Sequence, residues 1–211
     1  MSLTLSDFRT TMARFATGVT VVTTTLDSAY FGLTVNAFCS VSLHPPLILV
    51  SLDLGSQTYA SIRQSGVFAV NVLTQEQEPL ALRFARKDLA SKTFDDIAIR
   101  AGETTGVPLF ADALARIECR VSNEYPGGDH ALLLGEVVSV DYGDEHLANE
   151  PLLYYRSTFW VNNPQEYAAS KLPVSTGKSA AKQKEEGKGE EIPANSLIEI
   201  FPLPFVFALD I

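Results

Sequence analysis

The sequence of 211 residues is short of cysteine, histidine and positive charge, and each shortage excludes a class of protein. Its two cysteines, Cys39 and Cys119, are too few for a disulfide framework, and its three histidines are too dispersed for the spacing of a zinc site. The 16 lysines and arginines are outnumbered by 25 aspartates and glutamates. The net charge of -9 argues against a nucleic-acid binder, since phosphate neutralisation needs clustered positive charge.

Long apolar runs are also missing. The most apolar late segment, residues 198–211, is interrupted by Pro202 and Pro204, so we expect no membrane span. The N-terminal stretch MSLTLSDFRTTM has neither the basic start nor the apolar run of a secretory signal. Because it has so few cysteines and no recognisable signal, the chain is expected to lie in the reducing cytoplasm. We also expect it to bind no metal.

What the chain does contain is a series of short β-branched and apolar segments. These predict strands over residues 18–26, 31–38, 46–53, 67–73, 113–125, 130–143 and 152–160. Helical spacing predicts helices over 5–16, 56–66 and 74–87, the first of them covering a sheet, and residues 88–110 are expected to cross the surface loosely. Because strands and helices do not alternate regularly, we predict a mainly β protein, a closed or nearly closed barrel with a few flanking helices.

The composition changes at Asn162. Residues 1–161 form one domain by length and pattern, and residues 162–196, rich in Lys, Glu, Ser and Gly, are predicted to be a flexible polar linker. The STGKS motif at 175–179 lacks the first glycine of a phosphate-binding loop and is assigned to this linker. The apolar segment 197–211 could dock on its own domain or a second subunit, or be captured by a partner; its density of Phe and Leu favours docking.

Four blocks of the sequence carry a resemblance to a known family. They are FRTTMARFATGVTVVTT, GLTVNAFCSVSLHPPLILVSLD, FAVNVLTQEQEPLALRFARK and GGDHALLLGEVVSVDYGDEHLANEPLLYYR. In this order and spacing, residues 5 to about 160 resemble the flavin reductase domain family, the reductase components of two-component flavin-dependent monooxygenases. The resemblance implies an FMN-binding split β-barrel, a homodimer, and an oxidoreductase that passes hydride from NADH or NADPH to FMN or FAD and supplies reduced flavin to a partner monooxygenase.

The resemblance also implies a flavin ring along the second block. An isoalloxazine is flat and apolar on its faces but has carbonyls and nitrogens on its edge, so its site needs small residues and directed hydrogen-bonding groups. The candidates are Thr34, Val35, Asn36, Ser40 and Ser51. Each of these hydroxyls and amides taken singly could instead bond to its own backbone.

A phosphate site is expected where a helix begins and a basic segment ends. Ser56, Gln57 and Thr58 open the predicted helix, whose free N–H groups attract an anion. In the RFARK segment, Arg83 and Lys87 add positive charge, with Arg86 as a replacement for either, and Phe84 is expected beside the cofactor. Basic residues in a last helical turn are also common on solvated surfaces.

The GGDH segment and the last strand supply the remaining candidates. The resemblance implies that Asp129 and His130 lie by the flavin face, where His130 would orient the nicotinamide carboxamide or the pyrophosphate, or donate a proton. A lone histidine after two glycines is otherwise usually a turn residue. Of the neighbours Tyr154 and Tyr155, one is expected in the core and one, taken to be Tyr155, on the cofactor.

Two other functions stay open at this point. A flavin-binding split barrel without reductase activity would bind flavin but oxidise no NADH. An enzyme of the pyridoxamine-phosphate oxidase type would oxidise an amine in place of a nicotinamide. The GGDH and SVSLHPP segments favour the reductase over both.

Overall fold

A computed structural model describes residues 3–88, 90, 92–142 and 150–160. The linker and the apolar segment predicted over 162–196 and 197–211 lie outside the described residues. The described strands are β1 (Thr17–Gly18), β2 (Thr20–Leu26), β3 (Ala29–Val35), β4 (Phe38–Leu43), β5 (Pro46–Asp53), β6 (Val67–Val72), β7 (Ile99–Ala101), β8 (Pro108–Phe110), β9 (Ala115–Gly127), β10 (His130–Tyr142), β11 (Leu153–Tyr155) and β12 (Thr158–Trp160). The helices are α1 (Leu5–Met12), α2 (Gln57–Ser65) and α3 (Glu78–Ala85), and a single 3-10 turn (Gln75–Gln77) precedes α3.

Seven strands form one antiparallel sheet in the order β3-β2-β6-β9-β10-β5-β4. Its two edge strands, β3 and β4, are joined only by Asn36 and Ala37, and the Ser51 N–H donates to the Ala37 carbonyl at 3.0 Å. Because two residues span so little distance, the sheet must roll until its edges meet at this corner. The mainly β class with flanking helices is confirmed; no ladder between β3 and β4 closes the roll in the described chain.

The inside of the roll is filled by α2. Tyr59 and Ile62 of this helix belong to a buried cluster with sheet residues that include Val22, Val35, Val50, Phe68, Val70 and Leu133. The helix begins where the Ser56 side chain accepts the Tyr59 N–H, and it ends at Gly66, whose φ of 71° is the left-handed conformation that glycine adopts without strain. The helix predicted over 56–66 is confirmed.

The outside of the roll is covered by α3 and by the hairpin of β7 and β8. Phe84 of α3 is fully buried, with its ring centroid 4.9 Å from that of Phe94 and 5.7 Å from that of Phe110. Gly32 of β3 makes room for this ring, since a Cβ there would lie 2.6 Å from Phe84 Cδ1. The helix predicted over 74–87 is present, divided into the 3-10 turn and α3.

The segment predicted to be loose contains β7 and β8, which are too short to show a period in the sequence. Asn71 anchors this hairpin: its Nδ2 donates to the Val21 carbonyl and to Thr23 Oγ1, both at 3.1 Å, and its Oδ1 accepts the Phe110 N–H at 2.8 Å. A buried amide that makes all three bonds rigidifies the outer layer, because leaving any of them unmade would be costly.

The first helix differs most from its prediction. α1 ends at Met12 instead of residue 16, and it buries no side chain in the described chain, so it does not cover the sheet. Leu5 is 77% exposed, and Phe15, just beyond the helix, is 51% exposed. The amphipathic pattern predicts the helix correctly, but none of its apolar side chains is fully buried among the described residues.

None of the described helices has the length and apolar character needed to cross a bilayer.

Candidate functional site

A cavity of about 290 Å³ opens where four parts of the chain meet: β3, the turn after β5, the end of α3, and the small sheet of β1, β11 and β12. These parts are distant in sequence, so the cavity exists only in the folded chain. Its lining divides into an apolar wall, a polar wall and a basic rim.

The apolar wall consists of Val19, Leu33, Tyr154 and Phe159. Tyr154 and Phe159 are directly paired across β11 and β12, and their ring centroids lie 5.5 Å apart at an interplanar angle of 62°. Tyr154 also pairs with Thr17 of β1, which fixes this small sheet against the rest of the chain. Such a wall suits a flat aromatic ligand.

The polar wall includes Thr34, Asn36, Asp53 and Ser56. The Thr34 hydroxyl is occupied, since it donates to the Ala81 carbonyl of α3 at 2.6 Å. Asn36 Nδ2 donates to Thr17 Oγ1 at 3.2 Å, which leaves the other end of its amide for a ligand. Thr34 therefore supports the wall, whereas Asn36 can bind.

The basic rim consists of Arg86 and Lys87, directly after α3, and Lys92, further along the chain. Arg86 and Lys87 are exposed, whereas Lys92 is half-buried. Burial lowers the pKa of the Lys92 ammonium, and the charge of Asp88 partly opposes this. Three cations in the lining of one cavity favour an anionic group in it.

A second cavity, of about 380 Å³, lies near the start of α3. Its lining includes Glu76, Asp96 and Asp112 over an apolar floor that contains Leu80 and Phe110. Its carboxylates would repel an anionic ligand, and no predicted site residue lines it.

Four of the predicted site residues line the first cavity together: Thr34, Asn36, Ser56 and Lys87. Val35 lies between two of them, but alternation along β3 turns its side chain into the fully buried cluster inside the roll. Only the backbone of Val35 can take part in the cavity wall.

Three predicted residues are placed elsewhere by their own packing. Arg83 forms a bidentate ion pair with Asp96, with Nη–Oδ distances of 2.5 and 2.8 Å, which raises the pKa of its guanidinium. Phe84 is part of the core on the outside of the roll. The Tyr155 ring lies beside Trp160, outside the cavity lining, which Tyr154 supplies instead.

Four more predicted residues do not line the cavity. Ser40 is exposed on the edge strand β4, and Gln57 is exposed on the first turn of α2. Thr58 and Ser51 are buried, each with 3% exposure. Ser51 lies in β5 two residues before Asp53, and Asp53 lines the cavity whereas Ser51 does not.

Asp129 and His130 lie beside the cavity. His130 is directly opposite Asp53 in the β5–β10 ladder, so the two side chains share one face of the sheet. His130 Nδ1 is 2.7 Å from Asp129 Oδ1, and this hydrogen bond lowers the pKa of the Asp129 carboxyl. The other ring nitrogen, Nε2, is buried and has no hydrogen-bond partner among the described residues. A buried polar atom without a partner is costly, which suggests that a ligand or a second chain completes it.

Sequence reasoning named Arg86 only as an alternative, assigned Tyr154 to the core in favour of Tyr155, and missed Lys92 and Phe159. Lys92 follows a segment without period, so no pattern marked it. The choice between Tyr154 and Tyr155 depends on which face of a three-residue strand turns inward, and so short a strand gives no alternation to read.

Comparison with known proteins agrees with this geometry. The sequence profile of the Flavin reductase like domain matches residues 12–161. The chain is 38% identical over 154 residues to the NADH-dependent flavin reductase of Rhodococcus sp, covering 72% of this chain and 82% of the relative. It is 36% identical over 159 residues to HsaB, the reductase subunit of a flavin-dependent monooxygenase of Rhodococcus jostii, covering 75% and 78%.

Among solved structures, the NADH:FAD oxidoreductase SgcE6 of Streptomyces globisporus, in complex with NAD and FAD fragments, superimposes with a TM-score of 0.69. The two chains are 36% identical, and the match covers 75% of this chain and 93% of the other.

Proposed function

Because the chain belongs to the flavin reductase-like domain family, we propose that it reduces FMN or FAD with NADH as the electron donor. The observation that carries this proposal is the cavity, which joins an aromatic wall to a rim of three cations within the matched domain. A flavin nucleotide has the same two parts, a flat ring with apolar faces and an anionic phosphate tail. The residues present therefore fit the cofactor.

In this proposal each wall has a separate task. Leu33, Tyr154 and Phe159 contact the ring and keep water from it, while the Asn36 amide and the backbone around Val35 bond to its edge. Ser56, Lys87 and Lys92 hold the phosphate end.

When bound, the flavin accepts the hydride that NADH supplies, so the chain needs no covalent intermediate of its own. The task of the protein is to hold donor and acceptor in contact and to exclude water. In this proposal His130 bonds to the nicotinamide carboxamide through Nε2, which is buried without a partner among the described residues, while Asp129 holds its Nδ1.

Steady-state oxidation of NADH with FMN, FAD or riboflavin tests the proposal. We expect turnover with at least one phosphorylated flavin, and no turnover with any of the three would overturn it. Flavin binding without NADH oxidation would indicate a carrier, and amine oxidation with reduction of oxygen would indicate an oxidase. The identity to NADH-dependent reductases favours the reductase over both.

We also propose that the reduced flavin passes to a partner monooxygenase, as the description of HsaB as a monooxygenase reductase subunit suggests. The Asp129 side chain is 93% exposed and follows Pro126, Gly127 and Gly128, so the turn directly before His130 is accessible to a second protein. Mixing the enzyme, NADH and flavin with the HsaB-associated oxygenase should support oxygenation, and failure with every two-component oxygenase tried would contradict this part.

A homodimer is proposed from large apolar side chains that are exposed in the described chain. Leu43 on the edge strand β4 is 80% exposed, and Leu3 and Leu5 at α1 are 79% and 77% exposed. Exposed apolar side chains on an edge strand and at the N-terminal helix favour burial against a second copy. Sedimentation equilibrium should give twice the chain mass of 22.9 kDa, and a monomer at micromolar concentration would contradict the proposal.

We propose the cytoplasm as the location, because Cys39 and Cys119 are both free thiols in the described chain, as a reducing compartment would keep them. Burial, together with the charge of Glu118, raises the pKa of Cys119 to about 12, so this thiol is unreactive.

A further inference from the structure

We propose that Lys92 is the residue by which the cavity selects flavins that carry a phosphate. The inference rests on the proposed function and deepens it, because it assigns one cation of the rim to one chemical group of the ligand. No pattern in the sequence singled Lys92 out, and its position follows from the fold alone.

The first argument is the difference in environment among the three cations of the rim. Arg86 and Lys87 are exposed, so water and salt screen their attraction for a phosphate. Lys92 is half-buried and lines the same cavity. At equal distance, a charge pair near a partly buried site interacts about four times more strongly than one in bulk water. Lys92 therefore discriminates best between a charged and an uncharged flavin.

The second argument is the hydrogen-bonding capacity of the Lys92 ammonium, which has three donors on a half-buried group. Among the described residues it forms no salt bridge or hydrogen bond, and only the charge of Asp88 acts on it. Burying an ammonium without a partner is unfavourable, and this burial lowers its pKa. A phosphate supplies acceptors for its three donors and so removes the penalty.

The third argument is that the chain beside Lys92 is held in place. Arg83 Nη1 donates to the carbonyl of Thr93, the next residue, at 3.2 Å, and the same guanidinium binds Asp96. Phe94 packs against Phe84 in the outer core. Fixed neighbours reduce the entropy that Lys92 loses on binding, which makes it a positioned group and not a mobile surface lysine.

The fourth argument is a second anion-favouring element in the lining of the same cavity. Ser56 and Gly55 line the cavity at the beginning of α2, a nine-residue helix whose N-terminal N–H groups favour negative charge. A phosphate between this helix end and Lys92 would meet donors from two elements that are separated in sequence.

The test compares dissociation constants for FMN and riboflavin, measured by quenching of flavin fluorescence, in Lys92→Met, Lys92→Arg and the matched control Lys87→Met. We expect Lys92→Met to weaken FMN about tenfold and to change riboflavin little, because one charged hydrogen bond is lost. Lys92→Arg should retain most of the FMN affinity, and Lys87→Met should lose less than Lys92→Met. Equal losses for both flavins, or unchanged FMN binding, would overturn the inference.

A second measurement keeps the inference testable if Lys92→Met does not fold. The affinity of the unaltered chain for FMN should fall as the pH rises through the lowered Lys92 pKa, whereas Lys92→Arg should hold its affinity to higher pH. The other titratable groups at the cavity, Asp53, Arg86, Lys87 and Tyr154, with Asp88 nearby, are the same in both proteins. Identical pH profiles would overturn the inference, whereas failure of the unaltered chain to bind either flavin would instead contradict the proposed function.

Discussion

At Gly32 the outer surface of β3 meets the ring of Phe84 with no space between them. A Cβ at this position would lie 2.6 Å from Phe84 Cδ1 and 2.7 Å from Cε1, and the ring is enclosed by Phe94 and Phe110. We expect Gly32→Ala to lower the free energy of unfolding by about 1–3 kcal/mol through overpacking.

The control is Gly18→Ala, since a Cβ at Gly18 meets no atom within 4 Å. Urea unfolding of both variants measures the difference. Equal stability of the two would show that the ring of Phe84 can move aside.

Tyr59 links α2 to the far end of β9. Its hydroxyl donates to Glu124 Oε1 at 2.6 Å, and this bond, with burial, raises the pKa of the phenol. We expect Tyr59→Phe to cost about 1 kcal/mol at neutral pH. Because the folded pKa is raised, the contribution of the phenol is complete below its unfolded pKa and is lost as the pH rises through the folded pKa.

Unfolding experiments on Tyr59→Phe and the unaltered chain across alkaline pH check this sign. The two stabilities should converge at high pH. A difference that grows with pH would be inconsistent with a hydroxyl that donates to Glu124.

His130 offers a test of the assignment made for the nicotinamide. Replacing it by Gln removes the ring whose Nε2 is buried without a partner, and we expect the KM for NADH to rise about tenfold, the effect of one hydrogen bond to a ligand, with a smaller change in FMN affinity. His44→Gln is the control, because His44 is exposed in the turn between β4 and β5. If steady-state kinetics give both variants the same KM for NADH as the unaltered chain, His130 does not take part in the site.

At the scale of elements, the ion pair of Arg83 and Asp96 connects α3 to the segment that carries Lys92. The Asp96 side chain is 65% exposed, so the pair should contribute only about 0.5 kcal/mol to stability. Its larger effect should be on position, since the same guanidinium holds the Thr93 carbonyl. We expect Asp96→Asn to weaken FMN several-fold while it leaves riboflavin and the unfolding midpoint nearly unchanged.

The neighbouring carboxylate provides the control for that experiment. Asp95→Asn changes the net charge by the same amount and removes no salt bridge found in the described chain. If both variants weaken FMN equally, the loss reflects overall charge, and the ion pair does not position Lys92.

Elements with long patterns were predictable, and short ones were not. The strand predicted over 46–53 coincides with β5, and the helix over 56–66 with α2 and its two caps, because alternation, a serine cap and a terminal glycine act locally. The strands of β7–β8 and β11–β12 have three residues each, too few to show a period, so β7 and β8 were missed and the strand predicted over 152–160 proved to be the hairpin of β11 and β12.

At the scale of the molecule, the cavity joins parts of the chain that separate on unfolding. A ligand that binds only the folded chain stabilises it, by about 2.7 kcal/mol at a concentration one hundred times its dissociation constant. We expect saturating FMN to raise the midpoint of thermal unfolding by several degrees. An unchanged midpoint at saturation would mean that FMN does not bind the folded cavity.

The sequence by itself determined the class of the fold, the order of its main strands and, through four blocks in a fixed order, the family, because these depend on local patterns and on spacing along the chain. Only the tertiary structure decided which neighbours face the cavity: Tyr154 and not Tyr155, Lys92 beside Lys87, and Arg83 turned away to Asp96. The physical reason is that the direction of a side chain depends on register against strands and helices far away in sequence. Burial distinguishes Lys92 from the exposed Arg86 and Lys87, and burial is a property of the assembled chain.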